Sequence, residues 1–147
     1  MSVGNICSRN LITVDADDAV SVAEQRMEEC RVGCLVIVNN NQRPLGMLTD
    51  RDLAFRCAQS CNPSRMKVWE VMKPLPQCVG EEASIDEALK LMRGGPYRRL
   101  PVVDRNGRAV GLLSVDDILT FVSNEIGEIS RLLQQESPEA VGHRASC

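Results

Sequence analysis

Aromatic side chains are nearly missing from this sequence: one tryptophan, one tyrosine and two phenylalanines in 147 residues. A stacking platform for single-stranded nucleic acid needs several of them, so that function is excluded. Histidine is scarcer still, with only His143, close to the C-terminal end. No Ser/His/Asp or Cys/His arrangement can be built in the patterned part of the chain. No Walker loop is present either, and the chain is read as non-enzymatic. Long apolar runs are lacking too. None approaches the roughly 18–20 residues that a membrane span needs. Residues 1–10 contain no apolar stretch of signal-peptide type. An excess of basic charge is absent: the net charge is −3 and the pI about 5.2. That balance argues against non-specific binding to nucleic acid or to anionic membranes. A soluble cytoplasmic protein is expected.

What is present is aliphatic. Apolar residues make up 44% of the chain, enough for a core of Val, Leu, Ile, Met, Ala and Cys. The length suits one domain or two very small ones. The seven cysteines are an odd number without an export signal, which favours reduced thiols over a disulfide framework. Cys30 and Cys34, and Cys57 and Cys61, are each four apart. Four-ligand zinc sites use other spacings, and free cysteine is among the most often buried residue types. Core thiols are therefore expected and no metal site is assigned. A zinc or thiol-redox role is the alternative.

The chain repeats itself with an offset of 65. Residues 12–52 and 77–117 share ten identities without a gap: Val14/Val79, Ala23/Ala88, Met27/Met92, Leu35/Leu100, Val38/Val103, Asn41/Asn106, Arg43/Arg108, Gly46/Gly111, Leu48/Leu113 and Asp52/Asp117. Two copies suggest halves packed face to face, each covering the other's apolar surface. In the first copy, Leu11 to Val14 reads as extended. Asp15, Asp17 and Asp18 read as acids at a helix start. Val20 to Glu29 has helical spacing. Cys34 to Val38 is an apolar, β-branched run of strand length. A turn at 39–42 leads to a strand over Leu45–Leu48 and a helix over Asp50–Ala58, with Leu53, Ala54, Cys57 and Ala58 inward. A polar linker follows, and Trp69 is read as packing there. The second copy repeats the course. Its first helix turns Ile85, Ala88, Leu89 and Met92 inward and stops at Gly94-Gly95-Pro96. Strands over Leu100–Val103 and Val110–Leu113 follow, then a helix from Val115 whose apolar stripe continues through Leu133. From Glu136 the tail is polar and expected to fray.

Each copy carries a glycine, two apolar residues, a hydroxyl, two spacers and an aspartate: Gly46 to Asp52 and Gly111 to Asp117. A hydroxyl followed by a carboxylate three residues on, at a strand-to-helix junction, is a capping box. The same geometry can bind a ligand. A carboxylate can accept both hydroxyls of a ribose, and a helix N-terminus favours phosphate. The two uses are not exclusive.

These residues resemble a family. Two β-α-β-β-α repeats, each ending in Gly-apolar-apolar-(Ser/Thr)-x-x-Asp, with Arg99-Leu100-Pro101-Val102-Val103-Asp104 in the second, are similar to a tandem pair of cystathionine-β-synthase (CBS) domains, a Bateman module. The likeness covers roughly Ile6 to Glu125. It is greatest to the stand-alone bacterial type, the group that contains hypoxic response protein. The resemblance implies an α/β fold with pseudo-twofold symmetry: repeat 1 over 6–60, a linker over 61–70, repeat 2 over 71–126, and a C-terminal helix extension and tail over 127–147. It implies a regulatory module with two clefts for adenosine-containing ligands: AMP, ADP, ATP or S-adenosylmethionine. No cofactor is required beyond such a regulatory ligand, and a homodimer is implied. Asp52 and Asp117 would hold riboses, with Thr49 and Ser114 donating beside them. Met47 and Leu112 would press on adenine. Thr13, Val14, Cys78 and Val79 would offer backbone to its edge. Arg98 and Arg99, read otherwise as a solvated pair, would take phosphate, next to Pro101.

The first copy has Gly33, Cys34 and Val36 where the second has Arg98, Arg99 and Pro101. One cleft is therefore expected to bind a phosphorylated ligand well. The favoured cleft is one using Ser114 and Asp117. The alternative function is a dimeric interaction protein with vestigial clefts.

Overall fold

The computed structural model describes residues 1–58, 62–74, 77–95 and 98–136, with the side chain of Cys57 excepted. The readings made for the Cys57 side chain, Cys61, Pro96, His143, Cys147 and the tail beyond 136 lie outside the described residues.

In chain order the elements are α1 (Val3–Ile6), β1 (Thr13–Asp15), α2 (Val20–Cys30), β2 (Cys34–Val38), β3 (Pro44–Thr49), α3 (Asp50–Cys57), α4 (Val68–Val71), β4 (Lys73–Pro74), β5 (Val79–Gly80), α5 (Ile85–Gly94), β6 (Arg99–Val103), β7 (Ala109–Ser114) and α6 (Val115–Gln135). They form two sheets, ordered β1-β2-β3-β4 and β5-β6-β7. In each, the first strand runs parallel to the second and the next pair is an antiparallel hairpin. The hairpin turns need a left-handed residue at equivalent positions, supplied by Gln42 (φ 63°) and Gly107 (φ 80°). The α/β pair of repeats read from the sequence is the fold observed.

The halves are joined by exchange. Val68 and Val71 of α4 are buried in the first core, with Val14, Ala23, Leu35, Ile37 and Leu48. Val3 of α1 is buried in the second, with Val79, Ala88, Leu100, Val102 and Leu113. Each repeat's opening segment thus completes the other repeat's core. The 65-residue offset holds here as well, since it superposes Val3 on Val68. The stretch 61–70, read as linker, ends inside a core, so packing crosses the boundaries drawn from the sequence.

The edge strands follow the same exchange. β4 pairs with β3 at Gly46–Pro74 and Met47–Lys73, and Ser8 pairs with Leu112 of β7 in the other sheet. This explains the motif glycines. A Cβ on Gly46 would sit 2.6 Å from the Lys73 carbonyl oxygen, and one on Gly111 2.8 Å from that of Ser8. Only a residue without a side chain admits the crossing strand so close.

Several sequence expectations are corrected. Asp15, Asp17 and Asp18 do not sit in the first turn of α2, which contains no acid. They tie the preceding turn, with Asp15 Oδ1 accepting from the Asp17 N–H and Asp18 Oδ2 from that of Asp15. Leu89, read as inward, is exposed, because the buried face of α5 centres on Ala88 and Met92. Leu53 is buried, whereas Ala54 and Ala58 face solvent. Trp69 is 53% exposed rather than packed. Of the described cysteines, Cys7 and Cys34 are half-buried, but Cys30 and Cys78 are exposed, so the expectation of core thiols does not extend to them. The stripe on the last helix forms one continuous 21-residue α6.

Candidate functional site: a cationic cleft between the repeats

At the β3–α3 junction the Thr49 hydroxyl accepts from the Asp52 N–H at 3.1 Å, and Asp52 Oδ2 accepts from the Thr49 N–H at 3.4 Å. At the β7–α6 junction Ser114 and Asp117 make the same reciprocal pair at 3.1 and 2.9 Å. Both are capping boxes, so the structural role foreseen for the motif is realised in both copies.

The junctions sit on a common cleft of about 390 Å³. Met47, Thr49 and Asp52 line it from the first repeat; Arg98, Arg99, Ser114, Val115, Asp116 and Leu119 line it from the second. Lys73 on β4 completes it. The N-terminal ends of α3 and α6 therefore face one space. Arg98 is fixed at its rim because its carbonyl accepts from the Val115 N–H at 3.0 Å, which ties the arginine segment to the first turn of α6.

Lys73 was not foreseen. Its ammonium lies 3.0 Å from Asp52 Oδ1, with the carboxylate only 11% exposed. Burial alone would raise the Asp52 carboxyl. Hydrogen bonds from Lys73 and from the Thr49 hydroxyl and N–H outweigh it, with the Lys73 charge adding to them, and hold the group below its ordinary range. No sequence signal marks Lys73, because its counterpart at the 65-residue offset is Ser8, a residue of another type.

A second recess, of about 270 Å³, lies at the pseudo-symmetric position. Ser8, Asn10, Gly33, Cys34, Val36 and Leu112 are among its lining residues, and Arg99 reaches it from the shared border. Where the first cleft has Lys73 and Arg98, this one has Ser8 and Gly33. Burial raises the Cys34 thiol above its ordinary value; Arg99 pulls it down, while Asp52 and Asp50 push it up.

The structure thus brings Met47, Thr49, Asp52, Arg98, Arg99 and Ser114 together, and sets Leu112 on the second recess. Asp117 lines neither. It lies near Cys7, whose thiol, raised chiefly by burial, it raises further. The cleft that holds the arginine pair therefore has Asp52 and Ser114 on it, and Asp117, expected there beside Ser114, does not line it. Val14, Val79 and Pro101 are buried in their strands. Thr13, whose carbonyl accepts from Arg26, and the exposed Cys78 line neither of these two recesses. Among the described residues, no cluster of three or more His, Cys, Asp or Glu is placed to hold a metal ion. No helix among them is long and apolar enough to cross a membrane.

A paired sheet-and-helix repeat with such a cleft between its halves has known relatives. The CBS-domain family model matches twice, over residues 3–58 and 68–124. The chain belongs to the CBS-domain family. It is 35% identical over 120 residues to an uncharacterized protein of Methanopyrus kandleri, a match covering 81% of this chain and 61% of that protein. A CBS domain-containing protein of Arabidopsis thaliana is 34% identical over 122 residues, of which this chain spans 22%. Among solved structures, Hypoxic Response Protein I with two coordinated zinc ions superposes with a TM-score of 0.72 at 30% identity, covering 82% of this chain and 98% of that one. The AMP complex of CBSX2 superposes with a TM-score of 0.68 at 26% identity, over 84% and 96% of the two chains. CBS-pair relatives thus include proteins that bind AMP.

Proposed function

We propose that this protein is a non-enzymatic regulatory module whose Asp52 cleft binds a phosphorylated adenosine ligand, AMP, ADP or ATP. The observation that carries this reading is the gathering of Asp52 and Thr49 with Lys73, Arg98 and Arg99 in one cleft. Asp52 accepts the ribose hydroxyls, and Met47 lies against the base. Arginine forks bond phosphate oxygens in pairs, and the two helix N-termini add to the field. The Lys73 ammonium lies 3.0 Å from Asp52 Oδ1. On binding, ribose takes over that carboxylate and the ammonium turns to phosphate. With Lys73, Arg98 and Arg99 set against Asp52 and Asp116, the cleft keeps a positive balance that favours a phosphorylated ligand over S-adenosylmethionine, whose sulfonium is itself positive. The second recess, with Ser8, Gly33 and Cys34, takes a less charged ligand or binds weakly.

Leu119 belongs both to the cleft and to the exposed apolar stripe of α6. A ligand against it would bias how that helix meets a partner. The stripe supports a homodimer assembled through α6, and also favours the second reading, an interaction protein with vestigial clefts.

A ligand screen separates the two readings. AMP, ADP or ATP at 100 times its Kd should stabilise the protein by about 2.7 kcal/mol at one site. Asp52→Ala should abolish that response while the melting curve remains cooperative. Silence towards every adenine nucleotide, or two equal sites by calorimetry, would remove the proposed cleft assignment.

A further inference from the structure

Ten residues are identical between the two repeats, and most have an evident task in the core or the motif. Asn41/Asn106 and Arg43/Arg108 do not. They occupy equivalent places on the β2–β3 and β6–β7 hairpin tips. The turns themselves are held by other groups. Asn39 Oδ1 accepts from the Asn41 and Arg43 N–H groups at 2.9 and 3.0 Å, and Asp104 Oδ1 accepts from those of Asn106 and Arg108 at 2.9 and 3.0 Å. The side chains of the retained asparagines and arginines take no part in those bonds.

The fold brings the two tips together. The Ala109 N–H donates to the Gln42 carbonyl at 2.8 Å, linking one repeat's hairpin to the other's. The Arg43 guanidinium packs beside Gly107, 3.7 Å from where a Cβ would stand. The result is a recess of about 490 Å³ lined by Asn41, Arg43, Arg105, Asn106 and Arg108. Every lining side chain carries N–H donors. Arg105 is tied to Glu82 at 2.8 Å. Among the described residues, no carboxylate forms an ion pair with Arg43 or Arg108. A concentration of three guanidinium groups stands out on a chain of net charge −3. The recess lies at the far end of β3 from Thr49, about 16 Å away at the usual strand rise. It is therefore separate from the Asp52 cleft.

We infer that this recess is a second binding site, for a multivalent phosphate-bearing anion. The two pseudo-symmetric arginine forks converge on one space and can each bond a pair of phosphate oxygens. The asparagine amides supply further donors at the rim. A single carboxylate would leave one fork unused, whereas linked phosphates engage both. The phosphate can come from a free polyphosphate or from a phosphorylated lipid headgroup.

The test uses the full chain carrying Arg98→Gln and Arg99→Gln, which silence the other cationic cleft. Tripolyphosphate is titrated into ¹⁵N-labelled protein. The Gly107 amide and the side-chain amides of Asn41 and Asn106 should shift together and saturate. Adding Arg43→Gln and Arg108→Gln should weaken the affinity by about tenfold or more for each arginine removed, and the interaction should fade with added salt. Vesicles containing phosphatidylinositol bisphosphate form a second arm. Retention on them but not on phosphatidylcholine, lost with the same two substitutions, assigns the headgroup as the source; tripolyphosphate saturation without vesicle retention assigns the free anion. The site is overturned if neither probe acts saturably at these three residues, or if affinity survives loss of both arginines. The nucleotide response of the chain with Arg98 and Arg99 intact is read separately, so the two sites fail independently.

Discussion

Both oxygens of Asp52 are in use. Oδ2 faces the Thr49 N–H and Oδ1 the Lys73 ammonium. Lys73 is about half exposed, so the ion pair itself is worth about 1 kcal/mol or less. Its pH dependence is nevertheless defined. The Asp52 carboxyl is held below its ordinary range in the fold. Its contribution is therefore complete above the unfolded value of about 3.9, and is lost as pH falls through the lower folded value. Lys73→Met should remove part of that contribution. Urea melts at about pH 6 and in acid below the unfolded value should show the variant less stable at the higher pH, with the gap to the parent narrowing as pH falls. An equal gap at both would detach Lys73 from the carboxylate. In the other repeat, Ser8 stands where Lys73 does, so the crossing segment there brings a hydroxyl in place of an ammonium.

At the scale of elements, the crossing strands decide the motif. Gly46 and Gly111 are needed for close approach, not for an unusual backbone angle, since neither has positive φ. Gly111→Ala should push the Ser8 backbone and the Cys7 sulfur off β7 and destabilise the protein by about 1–3 kcal/mol. Gly46→Ala should do the same against β4. At Gly80, where an added Cβ meets nothing within 4 Å, an alanine should leave the denaturation midpoint nearly unchanged. The hairpins were legible in the sequence because Cys34–Val38 and Leu100–Val103 are β-branched runs followed by turn residues. Thr49 and Asp52 were legible because a hydroxyl and a carboxylate three apart mark a helix start whatever else they do. Val68–Val71 was not, since four residues carry too little periodicity to declare a buried helix, and its partners lie dozens of residues upstream. Lys73 was missed for the same reason: its contact with Asp52 exists only once β4 crosses to the other repeat. The pairing of arginines with an aspartate depended on this exchange as well. Sequence order puts Arg98 and Arg99 nearest Asp117, whereas the packing faces them to Asp52.

For the whole molecule, α6 sets the outer surface. Its 21 residues extend about 31 Å at the helical rise. Leu119, Val122, Ile126, Ile129, Leu132 and Leu133 are between 42% and 66% exposed along it. A stripe of this kind on an amphipathic helix matches the need of a helix-to-helix interface. If the homodimer forms there, Ile126→Glu with Ile129→Glu should give a monomer by light scattering while leaving the far-ultraviolet spectrum unchanged. An unaltered mass would move the interface elsewhere.

The exchange of opening segments also sets an order of events during synthesis. The first core lacks Val68 and Val71 until residue 71 has cleared the ribosome, so residues 1–58 alone leave that core incomplete. Val3 belongs with Leu100, Val102 and Leu113. Its own core does not exist until the second repeat has been made. The docking of α1 therefore follows the synthesis of the second repeat.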